Sequence, residues 1–192
     1  MFLAIVKGVI DQNIINFDTN TYNVVSRFIS NDFTGFVIFV TNFGSRSYLI
    51  VISLIILIFI KKKKYGFSIL FNIFLSKLIT NLLKIIIKRP RPIGINLITE
   101  GGYSLPSGHS LISMAFYGYL IYLIYKNIKN KIIKYFLIFI LSILIISIGL
   151  SRIYLGVHYT SDVLAGFLAG LSYLIIYVSL VNQFIEKRKQ KD

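Results

Sequence analysis

The chain contains no cysteine. That excludes a disulfide framework and thiolate chemistry, and it leaves the compartment unmarked by redox usage. Acidic residues are scarce, 7 Asp+Glu against 21 Lys+Arg, which gives a formal net charge of +14. Histidine occurs twice, as His109 and His158, and proline three times. Met1 to Ile10 is apolar but has no basic n-region and no small-residue cleavage site, so it does not read as a cleavable signal peptide. It is also too short to span a bilayer, which takes about 20 residues. Internal repeats, low-complexity linkers and a second domain are all missing.

What is present is apolar. Hydrophobic residues make up 56% of the chain, with a mean hydropathy of +0.76. An ordinary soluble domain has roughly 45–50% apolar residues even when glycine is counted. Five apolar segments are long enough to be spans: Phe43–Ile60, Phe67–Ile87, Ser110–Tyr125, Tyr135–Leu150 and Val163–Val181. Runs of this length, poor in proline, must be helical, because lipid offers no partner to an open backbone. Asp11 to Asn42 spaces its hydrophobic residues (Ile14, Ile15, Phe17, Val24, Val25, Phe28, Ile29) at roughly helical intervals and reads as an amphipathic interfacial helix. The expected architecture is therefore all-α, a polytopic transmembrane helix bundle with five spans. It forms one domain over 1–192, with an interfacial segment at 11–42, a transmembrane core at 43–182 and a cytoplasmic tail at 183–192.

The positive charge belongs to this topology rather than to nucleic acid. Lys61 to Lys64, then Lys126, Lys129, Lys131 and Lys134, then Lys187, Arg188, Lys189 and Lys191 fall on one side of a five-span chain. Those twelve of the 21 basic residues mark the cytoplasmic side. Most basic residues on the other side lie in, or adjoin, three short clusters. Cations kept there against the positive-inside rule point to chemistry.

The first cluster is Lys84-x6-Arg91-Pro92, at the end of the second span. Lysine supplies a mobile point charge, and arginine can bind two phosphate oxygens at once. Lys88 and Arg89 beside it read as juxtamembrane basicity. Lys77, Asn81, Lys84 and Lys88 share one face of the span. A lysine at the depth of Lys77 either pairs inside the bundle or lines a headgroup path. The second cluster, Pro106-Ser107-Gly108-His109, opens the third span. Ser107 is a good N-cap, and the free N–H groups of a helix start attract phosphate. The loop before it contains Glu100, to which no role attaches. The third cluster, Ser151-Arg152-x5-His158-x3-Asp162, joins spans four and five. A neutral His158 can attack phosphorus if its other nitrogen is held, and Asp162 is spaced to hold it. Arg152 offsets the charge growing on a transferring phosphoryl group. All three clusters meet at one membrane face. Two histidines could also serve a metal, but the surrounding cations would repel one, so no metal and no cofactor are expected.

In order and spacing the three clusters resemble the signature of the type 2 phosphatidic acid phosphatase family, whose site is also found in the soluble vanadium haloperoxidases. The resemblance covers Lys84 to Asp162. It implies a metal-free membrane phosphatase in the cell membrane, multi-pass, with its site on the non-cytoplasmic side. His158 would be the nucleophile that forms a phosphohistidine, Asp162 would orient it, and His109 would protonate the leaving oxygen and then activate water. Lys84, Arg91, Ser107, Gly108 and Arg152 would bind the phosphoryl group. The substrate would be a lipid phosphate of the bilayer, such as phosphatidylglycerophosphate, phosphatidic acid or undecaprenyl diphosphate. The short loop Ile93 to Leu105 favours prenyl diphosphate or phosphatidylglycerophosphate over bulky glycolipids. Membrane members commonly have six spans, so Met1 to Ile10 would be a truncated stub of the first. A phosphotransferase with an acceptor other than water, and a non-catalytic lipid-binding protein, are the rival readings. No nucleic acid partner is expected, and the oligomeric state is open.

Overall fold

The computed structural model describes residues 1–60, 63–94 and 96–189, and of 185–189 the backbone alone. Among the described residues the chain is helical throughout, without a strand. In order, the helices are α1 Phe2–Ile10, α2 Ile15–Ser26, α3 Asn31–Asn42, α4 Arg46–Phe59, α5 Lys63–Ile87, α6 Gly108–Asn127, α7 Lys131–Tyr154 and α8 Thr160–Lys189. Lys61, Lys62 and residues 190–192 lie outside the described residues, and α8 continues through most of the segment expected as a tail.

Length and composition alone recover three or four of the five expected spans. By length and composition, α5, α7 and α8 over Thr160–Phe184 can each cross a membrane. The pair α3 and α4, bent by 52° at the break between them, adds a fourth if it forms one span. The first expected span is α4, which starts only at Arg46 and has 14 residues. That is about 21 Å of helix, short of the ~30 Å hydrocarbon core. If the pair is one span, α3 supplies the missing length and the second half of the segment expected at the interface goes with α4. The stretch expected as one interfacial helix is two helices, α2 and α3.

The third expected span, α6, is a 20-residue helix that falls outside the three able to cross by length and composition. Its place in the fold explains this. It packs against α5, α7 and α8, and half of its residues are buried, among them Leu111, Ala115, Phe116 and Tyr119. A helix ringed by others presents little surface to lipid, so serine and tyrosine are tolerated along it. Ser110 and Ser113 are both fully buried there.

Small residues let α8 approach α6 most closely. Gly166 and Gly170 stand one turn apart, and a Cβ on either would lie 2.7 Å from a backbone oxygen of the facing chain, Ser107 O and Leu111 O respectively. A Gly-x3-Gly face of this kind permits backbone contact between membrane helices. It draws the starts of α6 and α8 together, and the Ser107 N–H donates to Asp162 O at 2.9 Å. Two of the three sequence clusters meet at that point.

Candidate active site

Each cluster sits where a helix begins or ends. Lys84 is in the last turn of α5, Arg152 in the last turn of α7 and Asp162 in the first turn of α8. Gly108 and His109 open α6 behind Ser107, whose side chain accepts from Ser110 N at 3.4 Å as the N-cap. His158 lies in the short connection between α7 and α8.

The carboxylate of Asp162 is fully buried and receives donors on both oxygens. Oδ2 accepts from Ser104 Oγ at 2.5 Å and from Tyr159 N at 3.0 Å, and it faces His158 Nδ1 at 3.4 Å. Oδ1 accepts from Arg89 Nη1 at 2.7 Å. A buried carboxylate with this many donors stays ionised and accepts a proton-bearing Nδ1. That tautomer leaves the lone pair on Nε2, which lies 3.2 Å from Arg91 Nη1. Burial pushes His158 down to about 4, with Asp162 pulling the other way and Arg91 and Arg152 adding to the depression. The imidazole is therefore neutral at physiological pH. Burial also lowers Arg91 from its usual value, opposed by Glu100 and Asp162.

Arg91 is fixed by carbonyls: Nε donates to Gly102 O at 3.0 Å, Nη2 to Gly101 O at 2.9 Å and Nη1 to Val157 O at 2.8 Å. Lys84 Nζ donates to Tyr103 O at 2.6 Å. Arg152 is buried; it donates through Nη1 to Thr41 Oγ1 at 2.9 Å and through Nη2 to Glu100, while its Nε has no partner among the described residues. A cavity of about 450 Å³ is lined by Lys84, Arg91, Gly108, His109 and His158, so five of the eight residues singled out from the sequence share one chamber. Asp162 and Arg152 stand behind it. Ser107 is turned inward, its N–H taken by Asp162 O, and it does not line the chamber.

The sequence model of the PAP2 superfamily matches residues 65–186, which include all eight of these positions. The chain belongs to the PAP2 superfamily. A PAP2 relative, phosphatidylglycerophosphatase B of Bacillus subtilis (strain 168), is 31% identical over 155 residues, 79% of this chain and 74% of that protein. An undecaprenyl-diphosphatase of Sulfolobus acidocaldarius is 24% identical over 186 residues, 93% of this chain and 84% of that protein. Among solved structures, a transmembrane PAP2-type phosphatidylglycerolphosphate phosphatase from Bacillus subtilis superposes with a TM-score of 0.86 at 27% identity, covering 97% of this chain and 92% of that one. Aquifex aeolicus LpxE shares the fold, with a TM-score of 0.68 at 23% identity, over 84% of this chain and 94% of its own. The all-helical PAP2 fold and the apolar helices make this chain a membrane protein.

Three residues of the site were not recognised from the sequence. Arg89 is a buried anchor rather than loose basicity: it bridges Asp162 to Asp18 of α2, with Nη2 to Asp18 Oδ2 at 2.8 Å, and its guanidinium stacks 4.0 Å from the Tyr159 ring. Ser104 joins Asp162 and His158. Glu100 pairs with Arg152 and lies 3.8 Å from Arg91. The partners of Arg89 are more than seventy residues away in sequence, so no local pattern announces them. Its one sequence signal is an arginine, not a lysine, placed between Lys88 and Pro90.

Proposed function

We propose that this protein is an integral membrane phosphatase that removes the terminal phosphate of lipid phosphates by double displacement through His158, without a metal. The observation that carries this reading is the pairing of His158, with Nδ1 facing a buried carboxylate and Nε2 facing a cation-lined chamber. In the first step the Nε2 lone pair attacks phosphorus and the ester P–O bond breaks. His109, across the chamber, takes up a proton as the phosphate anion enters and offsets the surrounding cations, and gives it to the leaving lipid oxygen. In the second, His109 takes a proton from water, the hydroxide attacks phosphorus, the P–N bond breaks and inorganic phosphate leaves. Lys84, Arg91 and Arg152 offset the charge on the transferring group, with the Gly108 N–H at the start of α6. Ser107, set behind the chamber wall, acts as the N-cap of α6, its oxygen accepting from Ser110 N and Ser110 Oγ and so holding the helix start that faces the phosphoryl group. Asp162 holds the tautomer of His158.

Relatives named for phosphatidylglycerophosphate and undecaprenyl diphosphate support a lipid phosphate as the substrate class. The placement of basic residues supports a multi-pass chain, one domain throughout, with the chamber opening to the non-cytoplasmic face. The test is phosphate release by the detergent-purified protein in excess chelator, from a panel of lipid mono- and diphosphates, beside His158→Ala. Release that survives chelation and disappears in the variant is the expected result. Equal release by both proteins overturns the mechanism.

A further inference from the structure

The chamber is larger than one phosphoryl group requires, and it contains cations that the chemistry above leaves unused. Lys77 and Arg46 line it together with His158. Lys77 sits well inside α5, ten residues before the helix ends at Ile87, which is about 15 Å along the axis. Its Nζ donates to Asn81 Oδ1 at 2.5 Å, and neither Lys77 nor Arg46 forms an ion pair among the described residues. An ionisable group at that depth is expensive, and it persists where it faces a partner or a polar path.

Packing fixes the heights of these groups. A Cβ on Gly66 would stand 3.1 Å from Leu57 Cα, so these two residues of the antiparallel neighbours α4 and α5 lie level. Eleven residues further along both helices, that register sets Arg46 beside Lys77. A Cβ on Gly108 would stand 3.4 Å from Thr80 Cγ2, so the start of α6 is level with Thr80. Lys77 and Arg46 therefore lie about one turn deeper than the histidine end of the chamber, toward the bilayer centre. Lys84 stands two turns above Lys77 on the same face, about 10 Å away.

We infer that Lys77, Arg46 and Asn81 form a second anion subsite, which takes the internal phosphodiester of a lipid whose two phosphates are separated by a three-carbon polyol. This assignment rests on the lipid phosphatase reading above. With the terminal phosphate at Lys84, Arg91 and His158, the lipid chain must leave toward the bilayer, past Lys77. A phosphodiester three carbons along the headgroup arrives at that level. The two phosphates of a diphosphate share a bridging oxygen and fall within reach of the upper cations alone, and a lipid with a single phosphate has nothing for the lower pair. The subsite thus sets substrate choice within the same reaction.

The test compares kcat/KM for three detergent-dispersed lipids with one diacylglycerol anchor: the monophosphate, the diphosphate and the phosphoglycerol phosphate. Wild type, Lys77→Gln, Arg46→Gln and Lys77→Arg are measured on all three. The expected result is a loss of about tenfold or more in the ratio of phosphoglycerol phosphate to monophosphate for each Gln variant, carried by KM, with Lys77→Arg retaining the ratio. A ratio unchanged in the Gln variants overturns the subsite, and so does an equal loss on all three lipids, the result of general damage to folding or field. An equal loss for the diphosphate and the phosphoglycerol phosphate overturns the assignment of the three-carbon spacing. If wild type hydrolyses none of the three, the phosphatase reading falls and this one with it.

Discussion

Arg89 and Asp162 form a buried ion pair, Nη1 to Oδ1 at 2.7 Å, on the side of the carboxylate away from the His158 ring. The other arm of the guanidinium reaches Asp18, which also accepts from Ser161 N at 2.8 Å and Ser161 Oγ at 2.6 Å. One arginine thus ties α2 to the first turn of α8, and the orientation of the His158 partner depends on a helix that precedes every recognised cluster.

Removing Arg89 leaves two buried carboxylates with their hydrogen-bond donors but without the cation that they share. Breaking such a pair from one side costs about 3–5 kcal/mol. Arg89→Leu should lower the thermal midpoint in detergent and reduce turnover together. Arg89→Lys keeps the charge but cannot serve both carboxylates with a fixed fork, and should fall between the two. A Leu variant as stable as wild type would show that the pair contributes nothing net.

His158 gives a pH prediction with a definite sign. Its folded value is about 4 against an ordinary 6.5. Above 6.5 the ring is neutral in both folded and unfolded chains and contributes nothing to the pH dependence. Between 6.5 and about 4 the unfolded chain binds a proton that the folded one refuses, so stability falls as pH drops through that window. With two histidines in the chain, imidazole NMR of wild type beside His109→Gln isolates the His158 titration. A midpoint near 4 with the proton on Nδ1 is expected. A midpoint at or above 6.5 contradicts the desolvated, neutral nucleophile.

Close packing of α6 on α8 should tolerate no side chain. A Cβ at Gly170 would lie 2.7 Å from Leu111 O and 2.9 Å from Met114 Cβ, whereas one at Gly35 in α3 meets nothing within 4 Å. Gly170→Val should destabilise by at least the ~1–3 kcal/mol typical of overpacking. Gly35→Ala should be neutral or mildly stabilising, by about 0.5–1 kcal/mol, because alanine loses less entropy on entering a helix. Thermal unfolding of both variants measures the contrast. Equal effects would mean that α8 does not rest on α6 as closely as the backbone distances indicate.

The helices and the chamber were legible in the sequence because their signals are local. Long apolar runs have one solution in lipid, and clusters with fixed internal spacing land on helix ends that a bundle brings together. Spans one and three are the two that length and composition alone do not recover in the folded chain, because hydropathy reads a helix in isolation. Arg46 starts a helix too short to cross by itself, and the helix that would complete it, α3, carries polar residues such as Asn31, Asp32 and Thr34. For α6 the opposite holds, since encirclement by neighbours lets it be less apolar than a lipid-facing helix. Arg89, Ser104 and Glu100 were illegible for another reason. Their meaning lies in partners brought near by the fold, and a lone arginine, serine or glutamate in a loop looks alike whether it is solvated or buried against a carboxylate or a guanidinium.

Glu100 makes that last point testable. Its carboxylate pairs with Arg152 and lies 3.8 Å from Arg91, so it occupies guanidinium groups that a phosphoryl group would need. Arg152 is fully buried, its Nε unpartnered among the described residues, and without Glu100 its charge depends on whatever anion the chamber holds. Glu100→Gln should therefore be less stable than wild type in phosphate-free buffer and recover on adding inorganic phosphate. A ligand present at 100 times its Kd stabilises by about 2.7 kcal/mol, a shift of several degrees that thermal unfolding resolves. The rise in midpoint per increment of phosphate should be larger in the variant than in wild type, because the anion no longer competes with a fixed carboxylate. Parallel curves for the two proteins would mean that Glu100 and phosphate use different cations, and that the carboxylate merely braces the loop before α6.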